Sequence, residues 1–254
     1  MPYVDNDGVK IWFEVEGEGP PLILVHGTTG NLNVWRMLGV VDALKSDYKL
    51  ILMDARGHGK SDKPHDPSAY LPEPKSRDIE AILDSLDIET TNYFGYSMGG
   101  RIGFDVVLQA PHRLHSLVAG GAGPSPAALL AVALFTKGET IEDALEKREA
   151  VGGRMPEPVR AAFLANDIEA LIASQDPSIL DQERAYRSAL SNFDKPTLMF
   201  VGTDDPRLDD IEATTKTMSN AEFIPMEGLD HGGAMQQIGS VIPQIKSFLD
   251  SANS

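Results

Sequence analysis

Short apolar runs alternate with amphipathic stretches through the first half of the chain. Ile11–Glu16 reads as an edge-type strand that ends in the Gly17–Pro21 turn. Leu22–Val25 is uniformly apolar, as expected of a strand covered on both faces of a parallel sheet. A helical stretch follows from about Asn31 to Lys45, then a second buried strand, Leu50–Met53. Ile79, Ile82, Leu83 and Leu86 fall at helical spacing within an amphipathic segment from Ser76 to Leu86. Asn92–Gly95 predicts a strand, Met98–Ala110 a helix stopped by Pro111, and Leu114–Ala119 another strand.

This strand–helix alternation predicts a mostly parallel sheet with helices on both faces. The alternation stops at Pro124. From there to about Phe193 only helical patterns occur: Ala127–Phe135, Ile141–Val151, Pro158–Ala165, Ile168–Ser174 and Gln182–Leu190. Strand character returns at Thr197–Val201 and Glu222–Pro225, and Val241–Leu249 closes as a helix. The expected organisation is an α/β core of residues 1–123 and 194–254, interrupted by a helical insertion, 124–193.

Composition narrows the chemistry. The 254 residues carry a net charge of −16 and no cysteine. Absent cysteine excludes disulfide scaffolds, thiolate metal sites and thiol nucleophiles. Acidity argues against nucleic acid and against anionic membrane surfaces, both of which are bound through Lys and Arg. The N-terminal residues lack the basic and apolar regions of a signal peptide, and no apolar window nears the roughly 20 residues of a membrane span. A cytoplasmic location is expected. No metal-ligand spacing, phosphate loop or dinucleotide fingerprint is present, so no metal or cofactor is expected; Gly57-His-Gly59 begins such a fingerprint, but position 62 is Asp.

In open parallel sheets, ligands bind beyond the carboxyl ends of the strands. There the chain carries His26-Gly-Thr-Thr-Gly30, Asp54-Ala-Arg-Gly-His-Gly59, Gly95-Tyr-Ser-Met-Gly99, Gly202-Thr-Asp-Asp-Pro206 and Asp230-His-Gly-Gly233. Gly95–Gly99 fits G-x-S-x-G between a strand and a helix, which makes Ser97 a candidate nucleophile on a tight turn. A serine hydroxyl needs a base. His26 and His58 sit where they would organise turns, and His65, His112 and His115 read as solvated or capping, which leaves His231. The third member is a carboxylate earlier than the histidine, and spacing alone leaves Asp204 and Asp205 even. Backbone N–H groups of Met98 and Thr28 are the candidates to bind an oxyanion.

Taken in order, these five motifs resemble the α/β-hydrolase superfamily over nearly the whole chain. In that family the acid lies three residues after the strand-ending glycine, which implies Asp205. The resemblance also implies that the insertion is a cap that shapes an acyl pocket, and that the Asp54–Asp62 loop is structural. Asp230 departs from the Gly that many relatives have before the histidine. Relatives that open epoxides or remove halides use Asp at position 97, so Ser97 points instead to carboxylesterases, lactonases, C–C bond hydrolases or cofactor-free perhydrolases. A ligand-sensing receptor is a further alternative on the same fold.

C–C hydrolases need cations for dianionic keto acids. Arg101 is the candidate for that role, with a structural salt bridge as its ordinary alternative. Asp204–Asp230 holds eight acidic residues against Arg207 and Lys216, a field that favours neutral esters or lactones as small-molecule substrates. The insertion carries −4 of the −16, so the charge is concentrated in the core. Monomer and homodimer are equally compatible with the sequence.

Overall fold

The computed structural model describes residues 3–126, 135–152 and 154–254. Among them are eight strands: β1 (Tyr3–Asn6), β2 (Val9–Glu16), β3 (Pro21–Val25), β4 (Lys49–Met53), β5 (Thr91–Tyr96), β6 (Leu114–Gly120), β7 (Thr197–Gly202) and β8 (Ala221–Met226). They form one sheet in the order β1-β2-β4-β3-β5-β6-β7-β8. β1 and β2 are antiparallel, and every pairing from β4 across to β8 is parallel.

Period-2 alternation divides the central strands between two apolar layers. Ile23, Val25 and Tyr93 join one cluster, and Leu22, Leu24, Phe94 and Tyr96 join the other. Helices Pro72–Ser85 and Met98–Gln109 cover the first face, with Ile79, Ile82, Phe104 and Val106 buried there. Helices Val40–Leu44 and Ile242–Ala252 cover the second. Burial on both faces is why these strands read as unbroken apolar runs.

Three local readings differ from expectation. The stretch 31–45 is two short helices, Asn33–Met37 and Val40–Leu44, separated at Gly39, whose φ of 74° no helix accommodates. β1 has no apolar run and is half-exposed, but Asp7-Gly8, both at positive φ, forms the hairpin turn that pairs Asn6 with Val9. Pro177–Leu180 adds a short helix that the periodicity does not show.

Between β6 and β7 the described residues form helices only: Ile141–Gly152, Glu157–Leu164, Ile168–Ser174, Pro177–Leu180 and Glu183–Ser191. Nearly all of the expected helix Ala127–Phe135 lies outside the described residues. Arg101, on the helix that follows β5, ties the entry of this segment to its fourth described helix. Its guanidinium donates to the carbonyls of Gly123 (2.9 Å), Pro124 (3.1 Å) and Ser125 (3.4 Å) at entry, and to that of Leu180 (3.3 Å) at the end of the helix Pro177–Leu180. Beside it the buried carboxylate of Asp105 accepts from Tyr186 Oη at 2.5 Å and stands 2.8 Å from Lys75 Nζ. Arg101 is therefore structural, through carbonyls rather than through the expected salt bridge. Among the described residues no helix is long and apolar enough to cross a membrane.

Candidate active site

Because the central strands run parallel, their carboxyl ends bring His26, Ser97, Asp205 and His231 to one edge of the sheet from four separate segments. Ser97 follows β5 directly and has φ 56° and ψ −114°, a conformation that costs a non-glycine residue on the order of 1–3 kcal/mol. Its amide donates to Gly120 O (2.7 Å) at the end of β6, which helps to hold the strained turn. Flanking glycines make that turn sterically possible: a Cβ on Gly95 would collide with the backbone of Gly99, and one on Gly99 with the carbonyl of Val25.

His231 opens the short helix His231–Gln236 rather than lying in a loop. Asp230 caps that helix, its Oδ1 accepting from Gly233 N at 2.6 Å. The departure at position 230 is thus a helix cap that orients the histidine backbone. Tyr96 Oη donates to His231 O (2.6 Å), and the two rings lie 5.3 Å apart. His231 Nε2 is 2.9 Å from Ser97 Oγ, and Nδ1 is 2.7 Å from Asp205 Oδ2. A carboxylate only accepts, so Nδ1 carries the proton and Nε2 is free to accept from the serine hydroxyl.

Asp204, the alternative left open by spacing, is exposed, whereas the Asp205 side chain is fully buried. Burial pushes the Asp205 carboxyl up. The hydrogen bond and charge of His231, then the Arg207 amide and guanidinium, more than offset this and hold it below the usual carboxylate range. Arg207 makes both of its contacts to Oδ1, at 3.0 and 2.9 Å. Its place two residues after the acid was the available signal for this role. His231 keeps 30% of its side chain exposed, so solvent reaches the dyad it forms with Ser97.

Met98 is the first residue of its helix, where an N–H has no intrahelical acceptor. The Gly27–Gly30 loop approaches from β3: a Cβ on Gly27 would stand 3.4 Å from Ser97 Cβ. Thr28 lies in this loop, next to Thr29 at φ 66°. Asn166 of the helical segment donates to Thr29 O (3.0 Å), a contact that periodicity could not have indicated.

His26 sits beneath the loop. Its Nε2 accepts from Ala55 N (3.2 Å), so its Nδ1 carries hydrogen toward Gly27 O (2.8 Å). The ring of His58 lies 5.3 Å away, with Nδ1 on Arg56 O at 3.1 Å. Both are turn organisers, as expected, and both are fully buried. Burial lowers His26 to about 4, and burial with the neighbouring His26 lowers His58 to about 3. An unfolded chain binds these protons near pH 6.5, so stability is full above that pH and falls as the pH drops toward 4.

Each group then contributes about 1.4 kcal/mol per pH unit, with the pair titrating together. Urea unfolding is expected to show a loss of about 4 kcal/mol between pH 7 and pH 5. An unchanged unfolding free energy over that interval would contradict the buried neutral pair. The remaining histidines lie outside this cluster: His65 sits between Asp167 and Glu169 at 3.1 Å from each, and His115 bonds Ala252 O at 2.7 Å. Among the described residues no group of three or more His, Asp or Glu side chains is placed to hold a metal.

Residues 20–137 match the family described as alpha/beta hydrolase fold. A hydrolase from Pseudomonas aeruginosa PA01 superposes with a TM-score of 0.84 at 23% identity, covering 97% of each chain. The enol-lactonase from Burkholderia xenovorans LB400 gives 0.78 at 21% identity, over 98% of this chain and 100% of that one. In sequence, the dihydrolipoyllysine-residue acetyltransferase component of the acetoin cleaving system of Pseudomonas putida is 41% identical over 107 residues, 42% of this chain and 28% of that protein. The chain spans less than half the length of the curated relatives it matches. Motif order, sheet order and these matches agree: the chain has the α/β-hydrolase fold.

Proposed function

We propose that this protein is a serine hydrolase of carboxylic esters or lactones, acting through an acyl-enzyme. The reading rests on one observation, the hydrogen-bonded run from Asp205 through His231 to Ser97. Ser97 Oγ attacks the acyl carbonyl carbon while His231 Nε2 takes its proton. The tetrahedral intermediate collapses by expelling the alkoxide, to which His231 returns the proton. Water, deprotonated by the same nitrogen, then releases the acid and restores Ser97. Asp205 keeps the imidazole in the tautomer this requires and stabilises the imidazolium. The Met98 and Thr28 amides receive the oxyanion. No cofactor enters the scheme.

Asp204, Asp205 and Asp230 lie on the histidine side, an acidic field that favours neutral esters or lactones over dianionic keto acids. The segment 124–193 serves as a cap on a core of 1–123 and 194–254. Its supports are the Asn166 bond to Thr29 and the His65 contacts to Asp167 and Glu169. The C–C hydrolase alternative called on Arg101 as a substrate cation, and that guanidinium is engaged by four backbone carbonyls.

A fluorophosphonate probe is expected to label Ser97 stoichiometrically, and competition by a panel of esters, lactones and keto acids ranks the substrate classes. Labelling at another residue, or none, would end the proposal.

A further inference from the structure

Resting on that reading, the geometry points to Arg148 as the residue that selects substrates bearing a carboxylate a few carbons from the scissile carbonyl. Arg148 lies on the helix Ile141–Gly152, four and three residues after Ala144 and Leu145, which are buried against Phe163. Positions i, i+3 and i+4 share a face, so Arg148 extends the inward side of this helix. One guanidinium nitrogen comes within 3.8 Å of where a Cβ on Gly232 would stand. Gly232 follows His231 directly. Successive Cα atoms are about 3.8 Å apart, which puts that nitrogen within about 9 Å of the His231 Cα.

What distinguishes Arg148 is its lack of a partner. Among the described residues it makes no hydrogen bond and no ion pair, although it is half-buried. The other partly or fully buried arginines near the site or on the helical segment are occupied: Arg207 by Asp205, Arg101 by carbonyls, Arg187 by Glu183 and Asp210, Arg160 by Glu149, whereas Arg154 and Arg184 are exposed to solvent. Asp230 is the nearest acid to the same spot, its Oδ1 standing 3.7 Å from it, but that oxygen already accepts from Gly233 N and forms no ion pair with Arg148. Five N–H donors in a planar fork are thus presented beside the histidine, matching the two oxygens of a carboxylate. The acidic count over Asp204–Asp230 could not register this cation, because the fold delivers it from a distant helix.

Two boronic acids separate this proposal from the one beneath it. Ser97 Oγ adds to boron and passes its proton to His231, forming a tetrahedral adduct without a leaving group. Dissociation constants are measured for butylboronic acid and 3-carboxypropylboronic acid on the wild type, R148Q and R148K. The wild type is expected to favour the carboxylated probe. In R148Q that preference falls about tenfold while butylboronic acid binds unchanged, and R148K recovers part of it. An unchanged ratio in R148Q, or an equal loss for both probes, overturns the role of Arg148. Failure of the wild type to bind butylboronic acid counts instead against the serine-hydrolase reading itself.

Discussion

Ser97→Ala is expected to lower kcat/KM for p-nitrophenyl acetate by about 10⁴-fold or more, with the fold and melting temperature intact. Alanine fits where Ser97 sits and removes only the atom 2.9 Å from His231 Nε2. Asp205→Asn is expected to lose about 10³–10⁴-fold by a different route. An amide NH₂ facing Nδ1 favours the tautomer with hydrogen on Nε2, which then cannot accept from the serine. The double variant loses little more than Ser97→Ala alone, because residues acting as one unit are not additive. Initial rates on the three purified variants check this. Ser97→Ala turning over at the wild-type rate would remove the nucleophile from the scheme.

The second large effect is on folding. Gly99→Ala is expected to cost about 4 kcal/mol or more, or to prevent soluble expression. Its new Cβ would land on the carbonyls of Val25 and His26, backbone atoms of β3 and the loop after it that cannot rotate aside. Relief would require moving the nucleophile turn away from the strand beside it. Gly39→Ala is the contrast: it also replaces a glycine, at φ 74°, but its Cβ meets nothing within 4 Å. Only left-handed backbone strain remains there, about 1–2 kcal/mol. Urea unfolding of both variants tests the distinction. Equal costs would show that close approach at Gly99 is not what demands glycine.

These two predictions differ in how far they could be reached without coordinates. Ser97 and His231 stand out because chemistry restricts them: a nucleophile on a strand-to-helix turn needs flanking glycines, and a serine needs a base. The choice between Asp204 and Asp205 is of another kind. Neighbouring side chains diverge, and only the packing of the turn after β7 sends Asp205 inward to His231 and leaves Asp204 in solvent. The resemblance pointed to the same residue through family pattern rather than through spacing. Arg101 illustrates the converse. Its place one helical turn after Ser97 suggested a cation for substrate, yet the entry of the helical segment and its Pro177–Leu180 helix supply carbonyls that take up its donors.

The order of apolar runs along the chain is sufficient for the α/β architecture and its interruption by helices, because period and burial are properties of neighbouring residues. β1 escaped that logic: a half-exposed edge strand buries too little to leave a pattern, and only its Asp7-Gly8 turn marks it. The motifs, too, are local, each a few residues at the end of a strand. Distances between them are not. The 2.9 Å contact of His231 with Ser97, the 2.7 Å contact through which His231 holds Asp205 ionised, and the unpaired Arg148 beside Gly232 depend on segments tens of residues apart meeting at one edge of the sheet. Charge counted along the chain therefore described a predominantly acidic site. Charge arranged in space puts the unpaired Arg148 there as well.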